Sequence, residues 1–172
     1  PTDESIREVG VRGIFISNYV EWSGNRNVEI AKQYGFKESK EEFQRTYRRM
    51  SNLDDMHENG IHDYMKYIKF GYGRATDHVT KDIRDGILTR ERGINIVKER
   101  DHIKSADLHR WLEYVDMSEE EFDCVADTFR DPRVWWIDDG KWYKDNIDGK
   151  PSSGGEVKLS KDRWYNYQRS EQ

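Results

Sequence analysis

The chain has 172 residues, 37% of them charged and 34% hydrophobic, and 29 Lys and Arg against 34 Asp and Glu give a formal net charge of −5. This acidic balance gives little electrostatic support to a nucleic-acid or anionic-membrane partner, and we expect neither. The single cysteine, Cys124, excludes an internal disulfide and a cysteine-built zinc site, and no stretch resembles a signal peptide or a membrane span. A folded cytoplasmic protein is therefore expected.

The first predicted elements are a strand and a short helix. The stretch from Val11 to Trp22 combines β-branched and aromatic residues interrupted by polar ones, which predicts a strand. Capping residues precede the next segment and Gly35 suits a left-handed C-terminal position, so a helix is expected over residues 27–34. Residues 37–59 are dense in charge and lack an apolar stripe, and we interpret them as an exposed helix and loop.

Two helices joined by a glycine turn are predicted next. Apolar residues recur at helical spacing from Ile61 to Ile68, which predicts a helix with one face in the core. The turn Gly71-Tyr72-Gly73 ends it, because two glycines one residue apart permit a sharp change of backbone direction. A second helix is expected from Arg74 to Arg84, with Gly86 as its stop.

Three more helices are predicted from their capping residues. Thr89 and Ser105 are each expected to cap a helix that carries apolar residues on one face. Ser118 and Glu121 have the spacing of a capping box, and apolar residues follow at helical intervals. The predicted fold class is thus mainly α with one or few strands.

The sequence changes character after Pro132. Residues 132–172 are rich in Trp, Tyr and turn-forming residues, and we interpret them as a tail with little regular structure. Ser152 to Gly155 is expected to be a flexible hinge. The predicted domains are a helical region with an N-terminal strand over residues 1–131 and this aromatic tail over residues 132–172.

The densest group of polar residues lies between Lys69 and Gly86. Helical spacing places Arg74, Asp77 and His78 on one face, where an arginine and the amides of a helix N-terminus suit a phosphate or carboxylate. The alternative is an exposed helix face with ion pairs along it. Histidines and acids between residues 54 and 63 match no established ligand spacing, and no metal site is predicted.

Two runs of the sequence resemble a known family. They are GIFISNYVEWSGNRNVEIAKQYGF, from Gly13, and GIHDYMKYIKFGYGRATDHVTKDIRDGILTRERG, from Gly60. They are similar to the C-terminal half of the N-acetyl sugar amidotransferases of lipopolysaccharide O-antigen biosynthesis, with interruptions from about Val11 to Trp142. The resemblance implies that the chain is the C-terminal helical part of an α/β enzyme of the PP-loop ATP pyrophosphatase type. The family's Ser-Gly-Gly-rich pyrophosphate loop and cysteine-rich segment are missing here, so a fragment that is inactive alone is expected.

The resemblance also implies an activity and roles for the polar residues. The reaction would convert an acetamido group of a nucleotide-linked sugar to an acetamidino group, with ATP and magnesium bound outside this chain and ammonia supplied by a glutaminase partner. Asp77 and Asp82 would be catalytic, with Asp82 orienting a neighbour or linked to magnesium. The substrate-binding residues would be Lys69, Gly71, Gly73, Arg74, Thr76, His78 and Arg84.

Two other functions stay open at this point. A small helical module that docks a protein partner through its aromatic tail, without catalysis, is the main alternative. A nucleic-acid binder is less favoured because the chain is acidic. A homo-oligomer is compatible with both the amidotransferase and the interaction module.

Overall fold

The computed structural model of the chain describes residues 2–50 and 59–169. The chain divides into two compact units, residues 1–38 and residues 39–172. The described part is mainly helical and has one small sheet. This confirms the predicted fold class, while the wider PP-loop setting stays a prediction. The second unit runs across the predicted domain boundary at residue 131.

The first unit contains two α-helices in its described residues, α1 (Asp3–Val9) and α2 (Gly24–Gln33). Thr2 caps α1, since its hydroxyl accepts a hydrogen bond from the Ser5 amide at 3.3 Å. The helix predicted over residues 27–34 is confirmed as α2, which begins at Gly24.

The strand predicted from Val11 to Trp22 is wrong. The regular element in this stretch is a 3-10 turn at Ile16–Asn18, where the Asn18 amide donates to the Phe15 carbonyl at 3.0 Å. Aromatic and β-branched residues favour a strand where a sheet can pack against them, and the described part of this unit offers no neighbouring strand. Phe15 and Tyr19 are exposed instead.

The second unit contains five α-helices and the 3-10 helix Lys161–Tyr167 in its described residues. The α-helices are α3 (Asn59–Phe70), α4 (Arg74–Arg84), α5 (Arg90–Arg100), α6 (Leu108–Val115) and α7 (Glu119–Asp127). Thr89 caps α5 as predicted. Ser105 does not cap α6: the Leu108 amide bonds the Ser105 carbonyl, so residues 105–107 form a turn and Asp107 occupies the position before the helix.

The capping box predicted at the start of α7 is confirmed. The Ser118 hydroxyl accepts from the Glu121 amide at 3.2 Å, and the Glu121 carboxylate accepts from the Ser118 amide at 2.9 Å. Two backbone donors that the helix cannot satisfy internally are thereby bonded.

Loss of this cap should weaken the second unit measurably. Ser118→Ala is expected to lower the free energy of unfolding by about 1 kcal/mol, measured by urea denaturation. Ser160→Ala is the matched control, because Ser160 precedes the 3-10 helix Lys161–Tyr167 without a side-chain capping bond. Equal changes in the two variants would contradict the stabilising role of the Ser118 cap.

The segment after Pro132 differs from the predicted irregular tail, because it forms an antiparallel sheet. Its strands, in the order β1-β2-β3, are β1 (Trp136–Asp138), β2 (Lys141–Asp145) and β3 (Pro151–Glu156). Asp139 and Gly140, at φ of 44° and 71°, form the two-residue connection between β1 and β2. This left-handed pair suits the tight turn of a β-hairpin. The predicted hinge at residues 152–155 lies within β3.

The core of the second unit joins this sheet to the helices. Trp135 and Trp142 are fully buried, and they belong to one apolar cluster with Ile68 of α3, Leu112 of α6 and Phe122 of α7. The indole rings of Trp135 and Trp142 meet edge to face, with centroids 6.5 Å apart. The aromatic segment is therefore part of the folded core.

Among the described residues, no helix combines the length and the apolar character that a membrane crossing requires.

Candidate functional site

The turn between α3 and α4 brings the polar residues of the second unit together. Gly71 has φ of 72°, a left-handed conformation that favours glycine. At Gly73 a Cβ atom would lie 2.8 Å from a carboxylate oxygen of Asp101, which is too close. Both glycines thus serve backbone geometry here, and the turn sets the start of α4 against the end of α5.

The N-terminus of α4 is capped by a buried carboxylate from the end of α5. Asp101 accepts hydrogen bonds from the Gly73 amide at 2.8 Å, the Thr76 amide at 3.3 Å and the Thr76 hydroxyl at 2.5 Å. The carboxylate of Asp101 therefore accepts the hydrogen bonds that the N-terminus of α4 can donate. The expectation that these amides face a ligand anion is corrected accordingly, and Thr76 is bonded within the protein.

Arg74 is held by a carboxylate of α3. Its Nε and Nη2 atoms lie 2.9 and 2.8 Å from Oδ1 of the buried Asp63. Asp77, one turn along α4, bonds the Lys66 ammonium and lies 3.8 Å from Nη1 of Arg74. These pairs fix the direction of the guanidinium and are partly shielded from water.

His78 is a half-buried imidazole that is neutral at pH 7. Its Nδ1 lies 2.6 Å from the Thr46 hydroxyl oxygen. Burial, together with the nearby cations Arg48, Arg74 and Lys81, lowers the pKa of His78 from 6.5 to about 4. At neutral pH the ring is thus a proton acceptor, and Thr46 fixes its orientation.

Asp82 anchors the loop of residues 39–50 to α4. It is buried, and its carboxylate accepts from Nη2 of Arg48 at 2.5 Å and from the Tyr47 hydroxyl. Burial and the bond to Asp82 raise the pKa of Tyr47. Both oxygens of this carboxylate bond neighbouring side chains. Of the two roles predicted for Asp82, the geometry therefore supports orienting a neighbour.

Arg45 is a buried residue of this loop that sequence reasoning missed. Its Nη2 donates to the backbone carbonyls of Asp101 at 2.5 Å and Asp63 at 3.3 Å, and its guanidinium carbon lies 5.3 Å from the Tyr64 ring centroid. The loop belongs to residues 37–59, which were predicted to be exposed because they are dense in charge and lack an apolar stripe. The run RTYRR, at 45–49, is the feature of the sequence that could have indicated buried contacts, since tyrosine among arginines suits stacking and ion pairs.

These side chains surround a cavity of about 190 Å³. We call it the Arg74 cavity, and its polar lining includes Arg45, Thr46, Asp63, Arg74, His78 and Ser105. It combines an oriented cation with a neutral imidazole. Such a pair can bind an oxygen that carries negative charge and accept a proton nearby.

Residues 41–146 match the family described as LPS biosynthesis protein WbpG-like, C-terminal domain. The chain belongs to this family. A comparison with curated proteins finds no match. The matched range contains α3 to α7, β1, β2 and the Arg74 cavity, and it gives the chain a role in lipopolysaccharide biosynthesis, as the resemblance implied.

The WbpG-like domain brings some of the predicted site residues together and leaves others apart. Arg74, Asp77, His78 and Asp82 lie in the cluster on α4, with Gly73 and Thr76 at its start around Asp101. Two residues lie elsewhere. The Lys69 ammonium sits 5.2 Å from the Phe129 ring centroid, and Nε of Arg84 donates to the Thr80 carbonyl of its own helix.

The resemblance implies ATP and magnesium bound outside this chain, so the WbpG-like domain itself need not hold either group. No group of three His, Cys, Asp or Glu side chains among its described residues is arranged to hold a metal ion. Asp82, the carboxylate expected to be linked to magnesium, is bonded to Arg48 and Tyr47. No step of the chemistry is therefore derived through either group.

Proposed function

We propose that this chain belongs to an ATP-dependent amidotransferase of O-antigen biosynthesis. The enzyme would convert an acetamido group of a nucleotide-linked sugar to an acetamidino group, with ammonia from a glutaminase partner. Membership of the WbpG-like family supports the lipopolysaccharide role. The ATP-binding PP-loop region is expected outside the described residues, so the chain alone should be inactive.

In this proposal the Arg74 cavity receives the reacting part of the sugar. Ammonia that attacks the amide carbon must lose a proton as the amidine forms. A neutral imidazole accepts that proton, and a cation stabilises the negative charge that develops on the amide oxygen, which would leave on the phosphate that ATP supplies in the whole enzyme. The observation that carries the proposal is that Arg74 and the neutral His78 line one cavity, each oriented by its own partner.

The test is steady-state kinetics of the full-length enzyme with ammonium chloride as the nitrogen source, so that no glutaminase is needed. His78→Asn places an amide near the Nδ1 position but removes the base, and kcat is expected to fall about 100-fold. Arg74→Met should lower both kcat and kcat/KM by about 10- to 100-fold, because the guanidinium stabilises charge that develops in the transition state.

The control variant is Arg92→Met, which removes an exposed arginine from α5. Its kinetic constants should match the parent enzyme. If His78→Asn and Arg74→Met also keep both constants within about twofold while their circular dichroism is native, the cavity does not take part in the reaction.

A non-catalytic interaction module is the second candidate, and one observation favours it. No described residue in the first unit is buried, and Ile14, Phe15, Tyr19 and Tyr34 expose most of their side chains. Large exposed apolar surface is typical of a site that another protein covers. ATP consumption by the full-length protein that depends on the nucleotide-linked sugar would exclude this candidate, and its complete absence with native folding would favour it.

A further inference from the structure

A second cavity of about 450 Å³ lies between the first turn of α4, the end of α5 and the strands β2 and β3. We call it the Lys144 cavity, and its hydrogen-bonding lining includes Thr76, Lys98, Lys144, Asn146, Ser152 and Ser153. Its volume is in the range of small-molecule sites. The proposed function does not use it, although Gly71 and Thr76, expected above to bind substrate, are part of its lining.

Lys144 is a buried cation without an ion pair among the described residues. The side chain is on β2, its residue is 6% exposed, and Nζ donates to the Asp145 carbonyl at 3.1 Å. The carboxylate of Asp101 also lines the cavity, but its oxygens already accept from Gly73 and Thr76. A buried ammonium in this position gains free energy when an anion reaches it.

Further hydrogen-bond donors line the same cavity. Ser153 Oγ accepts from the Gly155 amide at 3.3 Å, which leaves its hydroxyl hydrogen to donate. The Asn146 side-chain oxygen accepts from the Ile147 amide at 2.9 Å, so its NH2 group can donate as well. Burial lowers the pKa of Lys144, while the carboxylates of Asp101 and Asp145, which also line the cavity, act to raise it.

We propose that the Lys144 cavity binds the phosphoryl group of a small phosphorylated ligand. An ammonium, a hydroxyl and an amide donor suit a group that carries several acceptor oxygens, and lysine binds phosphate as a point charge. The remaining volume accommodates the body of the ligand, and the Tyr72 ring is part of the lining. The inference rests on these contacts and not on the proposed amidotransferase activity.

The experiment titrates the 172-residue chain with glucose 1-phosphate and inorganic phosphate, followed by amide chemical shifts and calorimetry. Saturable shifts are expected at Thr76, Lys144 and Ser153. Lys144→Met should weaken binding about tenfold or more, because a charge-assisted contact is lost, and Lys144→Arg should retain part of the affinity. Lys141→Met is the matched control on the same strand, where the side chain is exposed, and it should bind like the parent.

Three results would overturn the proposal. One is the absence of saturable shifts at these amides, and another is equal weakening by Lys144→Met and Lys141→Met. The third is binding of acetate or unphosphorylated glucose as tight as that of glucose 1-phosphate. If Lys144→Met loses its native spectrum, Ser153→Ala replaces it, with an expected loss of about threefold. His78→Asn should bind normally, so failure here and failure of the proposed activity are distinguishable.

Discussion

Asp127→Ala is expected to lower the free energy of unfolding of the second unit by about 3–5 kcal/mol. Asp127 and Arg130 form a buried ion pair at 2.8 Å, with both residues about 5% exposed or less. The Arg130 guanidinium carbon lies 4.2 Å from the Trp135 ring centroid and 4.8 Å from that of Trp142. Removal of the carboxylate leaves this charge in the apolar core without its partner. Urea denaturation followed by tryptophan fluorescence measures the effect, because both indoles lie in the core.

A second contact of Asp127 adds to the expected loss. Its Oδ2 accepts from the Lys158 amide at 2.7 Å, which ties the chain after β3 to the end of α7. Asp127→Asn keeps an acceptor near this amide but removes the charge, so its destabilisation should be smaller than that of the alanine variant.

The matched control is Asp131→Ala, which breaks an ion pair at the surface. Asp131 bonds the side chain of Arg133, which is 88% exposed, so solvent screens the pair, and Asp131 also accepts from the Arg133 amide at 2.9 Å. The midpoint of denaturation should therefore shift less than with Asp127→Ala. If Asp127→Ala and Asp131→Ala shift the midpoint equally, burial does not increase the contribution of the Asp127–Arg130 pair to stability.

The helices of the second unit were predictable because their signals are local. Thr89 and Ser118 bond amides three residues away, and the apolar stripe of α3 follows from the helical repeat. The β1–β2 hairpin was missed although Asp139-Gly140 between aromatic residues is a strong turn signal. The many turn-forming residues in the rest of the segment favoured an irregular tail instead of a hairpin.

The strand predicted from Val11 to Trp22 failed for a different reason. Strand preference measures how well side chains fit a packed sheet, and a single segment does not reveal whether a sheet is present. Phe15 is 81% exposed in the first unit, so the composition of this segment reflects apolar surface and not a ladder of backbone hydrogen bonds.

One part of the candidate site follows from the sequence, and the other part does not. The face of α4 that carries Arg74, Asp77 and His78 follows from helical spacing alone. The bonding partners within the site do not follow from local spacing, because Thr46 lies 32 positions before His78 and Arg45 bonds Asp101 across 56 positions. Polar loop residues that are buried by distant contacts carry no periodic pattern, so the burial of Arg45 and Thr46 does not follow from the segment 37–59, which was predicted to be exposed.

His78 should make the stability of the second unit depend on pH between about 4 and 6.5. The folded protein holds this imidazole neutral until its pKa of about 4, whereas an unfolded histidine takes up a proton near 6.5. Within this range the unfolded state binds more protons, so the free energy of unfolding falls as the pH is lowered. The contribution is fully present above pH 6.5, and its loss by pH 4 is about 3 kcal/mol.

The His78→Asn variant isolates this contribution. Carboxylates also titrate toward pH 4, but they are common to both proteins, so the difference between the two unfolding free energies reports on the imidazole. That difference should shrink by about 3 kcal/mol from pH 6.5 to pH 4 and stay constant from pH 6.5 to pH 8. A difference that grows on acidification would mean that the folded protein binds the proton more tightly than the unfolded chain does. His78 would then be charged at a higher pH than an exposed histidine, and it could not act as the neutral proton acceptor of the Arg74 cavity.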